Sequence, residues 1–182
     1  VVHAFYQNPN RQKGTGVQVN ISCASFIPKP FTPFQWEPED SMESLKAKQA
    51  HLLESIPSKK IKVSYHETPT SLLEGVLARG DRRLSAVLYD AFMNGCKFDS
   101  WDDKFKFDTW MKAFEKNNID PYFYTQRRRD FSELLPWDHI DYGVSRKFLE
   151  RENLKAHESK TTPHCRIKCA GCGANMLNGG HC

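Results

Sequence analysis

The sequence predicts an α/β unit, then a purely helical extension, then a cysteine-rich tail. Alternating strand patterns at residues 17–23 and 60–65 flank a helical pattern, whereas beyond residue 67 apolar residues recur only at helical spacing. Four of the six cysteines fall within the last eighteen residues. We therefore divide the chain into residues 1–66, 67–158 and 159–182.

The first strand runs directly into a rigid aromatic loop. Val17, Val19 and Ile21 alternate with polar residues, and three prolines then prevent further ladder pairing. We call residues 25–36 the exit loop. Its notable side chains are Phe26, Lys29, Phe31, Phe34, Gln35 and Trp36. Loops at the carboxyl ends of strands build the active sites of α/β barrels, so a functional loop is one interpretation. The other is that the rings fill a domain junction.

The later elements follow from capping residues and prolines. Asp40, followed three residues later by Glu43, predicts the start of a helix that Pro57 ends, and residues 60–65 then form a second strand. Four further helices are predicted to begin at Thr68-Pro69, Asp81, Asp108 and Ser145. The aromatic segment 121–142 is predicted to be irregular.

Composition narrows the class of protein. The chain has 182 residues, 39% hydrophobic residues and a formal net charge of +4, which permits nucleic-acid binding without arguing for it. It contains no apolar run of roughly 18–20 residues and no signal peptide, so we expect a cytoplasmic protein without membrane contact. Because it begins with Val1-Val2-His3 and not Met, we expect a fragment of a longer protein.

The tail carries a metal-ligand pattern. Cys165, Cys169 and Cys172 are spaced by three and two intervening residues, and glycines beside them allow the sulfurs to converge. A fourth ligand could be Cys182, His181 or His164. Both zinc and an iron–sulfur cluster use such thiolates, so either remains open. The alternative is a frayed terminus with free cysteines.

Other polar clusters each have two interpretations. Residues 79–83 either cap and turn between two helices, with solvated arginines, or clamp an anion. Residues 127–130, beside two aromatic residues, either contact RNA phosphates or form a solvated surface. Residues 137–142 suit proton transfer or metal binding, and the pair His66-Glu67 is a similar candidate; the alternative for each is a structural hydrogen-bonding cluster.

Several segments together resemble cobalamin-associated radical SAM proteins. Residues 26–36 resemble the strand-exit segment near the end of the radical SAM barrel, and residues 73–84 resemble the helical segment that follows it. The C-terminal region of one uncharacterised subfamily is similar to residues 95–101, 135–141 and 143–148. The resemblance covers nearly the whole chain, and the segments occur in the same order.

This resemblance implies the end of a partial (β/α) barrel from an enzyme that cleaves S-adenosylmethionine at a [4Fe–4S] cluster, with an unknown substrate. An upstream cobalamin-binding-type domain in the parent chain makes cobalamin a further candidate cofactor. The resemblance places Ser22, Ser25 and Phe26 near bound S-adenosylmethionine or substrate, with Lys29 and Gln35 on the exit loop. No catalytic residue can be named.

The tail cysteines share the spacing of the family's Cys-x3-Cys-x2-Cys cluster motif. In the family, however, that motif lies near the start of the barrel. We therefore assign Cys165, Cys169, Cys172 and Cys182 to a zinc site or second iron–sulfur cluster, and we expect this chain alone not to cleave S-adenosylmethionine. Two alternatives come from other classes of protein. One is a non-catalytic RNA-binding module with a zinc-knuckle tail, and the other is a scaffold whose tail docks a partner protein.

Overall fold

The computed structural model describes residues 1–12, 14 and 16–179, apart from the side chain of Asn178. This part of the chain is a mixed α/β structure. Its elements are α1 (Val2–Gln7), β1 (Val19–Cys23), α2 (Met42–Glu54), β2 (Ile61–Tyr65), α3 (Thr68–Arg79), α4 (Leu84–Met93), α5 (Phe107–Lys116), α6 (Pro121–Thr125), α7 (Arg146–His157) and a 3-10 helix (Ala174–Asn178).

The two strands form a parallel pair. Val19 pairs with Ile61 and Cys23 with Tyr65, and α2 supplies the crossover that a parallel connection requires. Along both strands, half-buried residues alternate with exposed ones. Because the strands are parallel, their carboxyl ends lie at the same edge of the sheet, where the exit loop begins.

Two apolar cores hold the rest together. The first core lies among α3, α4, α5 and α6 and buries Leu72, Leu73, Val76, Leu84, Val87, Ala91, Cys96, Trp110, Ala113, Phe114 and Tyr124. The second core buries Trp36, Leu135, Trp137 and Leu149, and Phe31, Phe131, Tyr142, Val144 and Phe148 pack against it. The second core thus joins the exit loop to α7 and the segment before it.

The exit loop precedes the domain boundary that we predict at residue 66, yet it packs against residues that follow this boundary. Trp36 is fully buried, and its ring meets Phe131 edge to face at a centroid distance of 4.8 Å. The backbone N–H of Arg129 also donates to the Trp36 carbonyl over 2.8 Å. The loop therefore packs as part of the helical extension, although it follows a strand.

Most predicted elements are confirmed, with local corrections. The cap of α2 is Ser41, which accepts from the Ser44 N–H, and not Asp40. Asp108 lies inside the first turn of α5, because the helix begins one residue earlier, at Phe107. The helix predicted from Asp81 begins at Leu84, and Asp81 instead accepts from Arg83. Pro121 opens the short helix α6 within the segment predicted to be irregular.

Among the described residues, no helix is both long enough and apolar enough to cross a membrane.

Candidate functional site at the carboxyl edge of the sheet

Ser22, Ser25, Phe26 and Lys29 follow one another along the edge where β1 ends. Ser22 is exposed in β1 and lies opposite Ser64 of β2. Ser25 is half-buried, whereas Phe26 and Lys29 are exposed. The structure thus brings these four predicted residues to one end of the sheet.

Helix α3 holds this edge in place through polar contacts. Ser71 Oγ–H donates to Ser25 Oγ over 3.0 Å, and Glu74 forms an ion pair with Lys29 Nζ. The two α3 residues are three positions apart and therefore share a helix face. The ion pair is nearly half exposed on both sides, so its contribution to stability is small, roughly 0–1 kcal/mol.

The rings of the exit loop divide into two groups. Phe26 and Phe34 are 53% and 38% exposed and meet edge to face at 5.7 Å. Trp36 is buried in the second core, and Phe31 packs against it. Filling of a junction therefore explains Phe31 and Trp36, whereas Phe26 and Phe34 present aromatic surface beside the sheet edge.

Gln35 lies apart from the edge, inside the protein. Only 4% of its surface is exposed, and its Oε1 accepts from the Phe31 N–H at 3.0 Å and from Trp137 Nε1–H at 2.7 Å. Gln35 therefore fixes the positions of two aromatic residues. The structure does not bring it together with Ser25 and Lys29.

Glu39 is a polar residue of this region that the sequence does not single out. Its N–H donates to the Thr125 carbonyl over 2.7 Å, and its side chain is pressed against Gly75 of α3. Oε2 is buried and has no hydrogen-bond partner in the described part of the chain. Burial raises the pKa of Glu39 to about 8, only partly opposed by Arg79. The carboxyl group is therefore mostly protonated at neutral pH.

Two buried arginines lie in contact with each other near the end of α3, and one of them, Arg79, interacts with Glu39. Arg79 is fully buried and donates from Nη1 to the Glu37 carbonyl, while Arg129 Nη2 donates to the Arg79 carbonyl over 2.8 Å. Burial and the neighbouring guanidinium lower the pKa of Arg79 to about 10. The expectation that the arginines at 79–83 are solvated is wrong for Arg79, because its side chain ties α3 to the chain after the exit loop.

The basic run 127–129 is largely engaged within the protein. Arg127 forms two parallel hydrogen bonds with Glu133, at 2.6 and 2.7 Å, and Arg129 is buried. Arg128 lies 3.3 Å from a carboxylate oxygen of Glu37. Bidentate pairing occupies Nη1 and Nη2 of Arg127, and burial keeps Arg129 away from a phosphate in solution, so the RNA-binding alternative receives no support from these two residues.

The cluster at 137–142 is held by structural hydrogen bonds. Asp138 accepts from the Leu135 N–H and pairs with Arg146, and Asp141 accepts from the Gly143 N–H. His139 is exposed. At the other candidate, the His66 carbonyl accepts from Gln49, and Glu67 precedes α3 as its cap residue.

The tail lies against α7. Cys172 accepts at its carbonyl from the Ser145 N–H over 2.8 Å, and Arg151 donates to the Ala170 carbonyl. A cavity of about 350 Å³ beside α7 is lined by Cys165, Cys172 and His164 among others. Cys169 Sγ accepts from the Gly171 N–H at 3.4 Å.

The described thiols do not form a closed metal site. Within residues 1–12, 14 and 16–179, no group of three or more His, Cys, Asp or Glu side chains is arranged to hold a metal ion. His181 and Cys182, two of the candidates for a fourth ligand, lie outside the described residues.

No protein-family model, no curated protein and no solved structure matches the chain.

Proposed function

We propose that the chain is the C-terminal part of a radical SAM enzyme, to which it contributes the end of the barrel wall, a helical extension and a metal-binding tail. The observation that carries the proposal is the parallel β1–α2–β2 unit with a braced loop at its carboxyl edge. Parallel strands joined by a helix are the repeating unit of α/β barrels, and substrates bind at the carboxyl ends of their strands.

The side chains at this edge suit substrate binding. Phe26 and Phe34 offer exposed ring surface, and Lys29 of the same loop forms an ion pair with Glu74. In the proposed enzyme, Phe26 packs against an apolar or ring portion of the bound molecule. Lys29 contributes a positive charge whose position is set by α3.

The edge residues do not fit an iron–sulfur cluster. Ser22, Ser25, Lys29 and their neighbours offer no set of thiolates, and the half-buried Cys23 is the cysteine nearest to them in the sequence. The proposal therefore assigns the cluster that cleaves S-adenosylmethionine, together with any cobalamin, to a preceding part of the parent protein. This chain supplies neighbouring wall residues only.

The first test is the gene sequence upstream of Val1. We expect one reading frame that continues upstream into a barrel carrying Cys-x3-Cys-x2-Cys. A start codon just before Val1 would overturn the proposal, because no cluster motif at the start of a barrel would then exist.

The second test uses the parent protein, purified anaerobically and reduced with dithionite. We expect release of 5′-deoxyadenosine from S-adenosylmethionine, slowed about fivefold or more by Lys29→Met. Lys59→Met is the matched control, because Lys59 is exposed in the turn before β2. Absence of 5′-deoxyadenosine from the cluster-loaded parent would contradict the function. Equal rates for the two variants would show that Lys29 is not part of the site.

We further propose that the tail binds zinc or a second iron–sulfur cluster through Cys165, Cys169 and Cys172. Cys165 and Cys172 border one cavity, and Gly171 and Gly173 have φ angles of +65° and +97°. Left-handed glycines let the chain turn tightly around a centre, and an N–H that donates to a thiolate steadies it. Thiolates are the preferred ligands of both metals.

Metal analysis of the anaerobically purified chain tests the tail. We expect about one zinc per chain, or iron with acid-labile sulfide, and loss of most of it in Cys172→Ser. Cys23→Ser is the matched control, because Cys23 is half-buried in β1 and lies outside the tail. A chain that carries no bound metal, or a Cys172→Ser variant that keeps it, would contradict the proposal.

A further inference from the structure

A cavity of about 510 Å³ opens on the side of the exit loop that faces α7. We call it the loop cavity. Phe31 and Gln35 line it from the exit loop, and the segment from Leu134 to Leu149 supplies the remaining lining residues. Its volume is typical of sites for small organic molecules.

The aromatic lining of the loop cavity is held in place before any ligand arrives. The single oxygen Oε1 of Gln35 accepts from both the Phe31 N–H and Trp137 Nε1–H. The Tyr142 ring lies 4.3 Å from the Phe31 ring, and Tyr142 Oη–H donates to the Phe31 carbonyl over 3.4 Å. Three rings therefore stand in a fixed arrangement, which lowers the entropy cost of binding.

The backbone of Phe31 is strained at this point. Its φ angle is +61°, a left-handed conformation that costs a bulky non-glycine residue about 1–2 kcal/mol. The hydrogen bond from the Phe31 N–H to buried Gln35 maintains it. Such strain concentrates at ligand-binding positions, and here it turns the Phe31 side chain toward the loop cavity.

The charged groups of the lining favour a positive ligand. Apart from His139, the ionisable groups of the lining are Asp138, Asp141 and Arg146, which together carry one net negative charge. The guanidinium of Arg146 is occupied by Asp138, Glu150 and two backbone carbonyls. In the part of the chain that the structure describes, Asp141 accepts one hydrogen bond, at Oδ1 from the Gly143 N–H, so its second oxygen is available to a ligand.

We propose that the loop cavity binds an organic cation, a molecule with an ammonium or guanidinium group attached to an apolar or aromatic body. The rings of Phe31 and Tyr142 attract a cation, Trp137 adds apolar lining, and Asp141 pairs with the cation. Anionic ligands such as phosphates are disfavoured by the same carboxylates. This proposal is independent of the assignment to radical SAM enzymes.

Three probes that share one ring test the sign of the charge. Benzylammonium, benzyl alcohol and benzoate are titrated into the chain at neutral pH, with tryptophan fluorescence and NMR shifts of the Trp137 indole N–H as readouts. We expect benzylammonium to bind with a Kd on the order of 1 mM. Benzyl alcohol should bind at least about fivefold more weakly. Benzoate should not bind detectably. Equal binding of all three, or tighter binding of benzoate, would overturn the proposal.

A matched pair of variants locates the site. Asp141→Asn should remove the preference for benzylammonium over benzyl alcohol while leaving the alcohol's affinity unchanged. Asp130→Asn is the control, because Asp130 is also exposed and accepts a backbone N–H two residues ahead, but lies outside the loop cavity. A preference that survives Asp141→Asn, or is lost equally in Asp130→Asn, would show that the loop cavity is not the cation site.

Discussion

At the level of single residues, the least expected feature is a buried carboxyl group next to a helix. Glu39 is only 4% exposed, and its Oε2 has no hydrogen-bond partner in the described part of the chain. Arg79 interacts with it electrostatically, but Nε and Nη2 of Arg79 also have no hydrogen-bond partner in the described part of the chain. Burying an unpaired carboxylate is costly, so the group keeps its proton instead.

Replacement of Glu39 by Gln should flatten the dependence of stability on pH. The pKa of Glu39 is raised from 4.5 to about 8 in the folded chain, so between these values the native state holds a proton that the unfolded state has lost. Its contribution to stability is complete below pH 4.5 and falls by about 1.4 kcal/mol per pH unit up to about pH 8. Glu39→Gln should therefore be more stable than the wild type near pH 8, as measured by urea unfolding.

The control for this experiment is Glu54→Gln, at an exposed position at the end of α2. It should follow the wild-type pH profile. If Glu39→Gln also followed that profile, the carboxyl group would be ionised in the folded protein, and the explanation by burial would be wrong.

The burial of Gln35, Glu39 and Arg79 could not be predicted from the sequence. Polar residues in a loop or at a helix end are normally solvated, and nothing adjacent to them in sequence indicates burial. Their environment is created by residues far along the chain, such as Trp137 and Thr125. By contrast, the edge position of Ser25 and Lys29 follows from local strand alternation and prolines, and could be predicted.

At the level of elements, α3 is unusual because one of its buried faces is polar. Thr68, Ser71, Gly75 and Arg79 recur at helical spacing and are all buried. This face packs against the exit loop and α6, whereas Leu72, Leu73 and Val76 enter the first core. A β-carbon at Gly75 would lie 2.0 Å from Glu39 Oε2 and 3.0 Å from Thr125 Cγ2.

The close contact at Gly75 gives a double-mutant prediction. Glycine inside a helix is less favourable than alanine by roughly 1 kcal/mol, so Gly75→Ala would stabilise an open helix. Here we expect a loss of about 1–3 kcal/mol, because Glu39 must move within a packed interior. In a Glu39→Ala background most of this loss should disappear, because only the 3.0 Å contact with Thr125 Cγ2 remains. Urea unfolding of the four proteins measures the coupling, and additive effects would contradict the packing described here.

Element boundaries were predictable where a local signal exists. Ser145 caps α7 and Pro69 opens α3 as the sequence indicates, because these side chains act on adjacent backbone groups. We did not predict α6, although Asp120 caps it and Pro121 opens it; its other residues are mostly aromatic, and packing of Tyr124 in the first core stabilises it. Whether the strand pair belongs to a barrel depends on neighbouring strands and stays a prediction.

At the level of the whole molecule, buried arginines connect the two cores. Arg79 ends α3 beside the first core and donates to the Glu37 carbonyl, close to Trp36 of the second core. Arg129 donates to the Arg79 carbonyl, and its guanidinium lies 5.1 Å from the centre of the Trp137 ring. Separate domains would lack such shared buried groups, so we expect one cooperative unit.

Unfolding monitored by two probes tests this cooperativity. Far-UV circular dichroism and tryptophan fluorescence should give coincident urea transitions for the wild type. Arg79→Ala should destabilise the protein by about 2–5 kcal/mol and separate the two transitions, because it empties the space between the cores and leaves a buried carbonyl unpaired. Arg82→Ala, at an exposed arginine in the turn between α3 and α4, should change stability by less than about 0.5 kcal/mol. Separate transitions in the wild type would mean that the cores fold independently.

The parallel pairing of β1 with β2 also has a consequence for the order of folding. Pairing of Val19 with Ile61 closes a chain segment that contains the exit loop and α2. The conformational entropy lost in closing this long segment is offset only when the strand hydrogen bonds form, so the pair is unfavourable early in folding. Helices α3 to α5 follow one another closely and can assemble through near-neighbour contacts. In a refolding experiment, helical signal should therefore appear before protection of the β1 and β2 amides from hydrogen exchange, and the carboxyl edge that holds Ser25 and Lys29 should be the last part of the molecule to form.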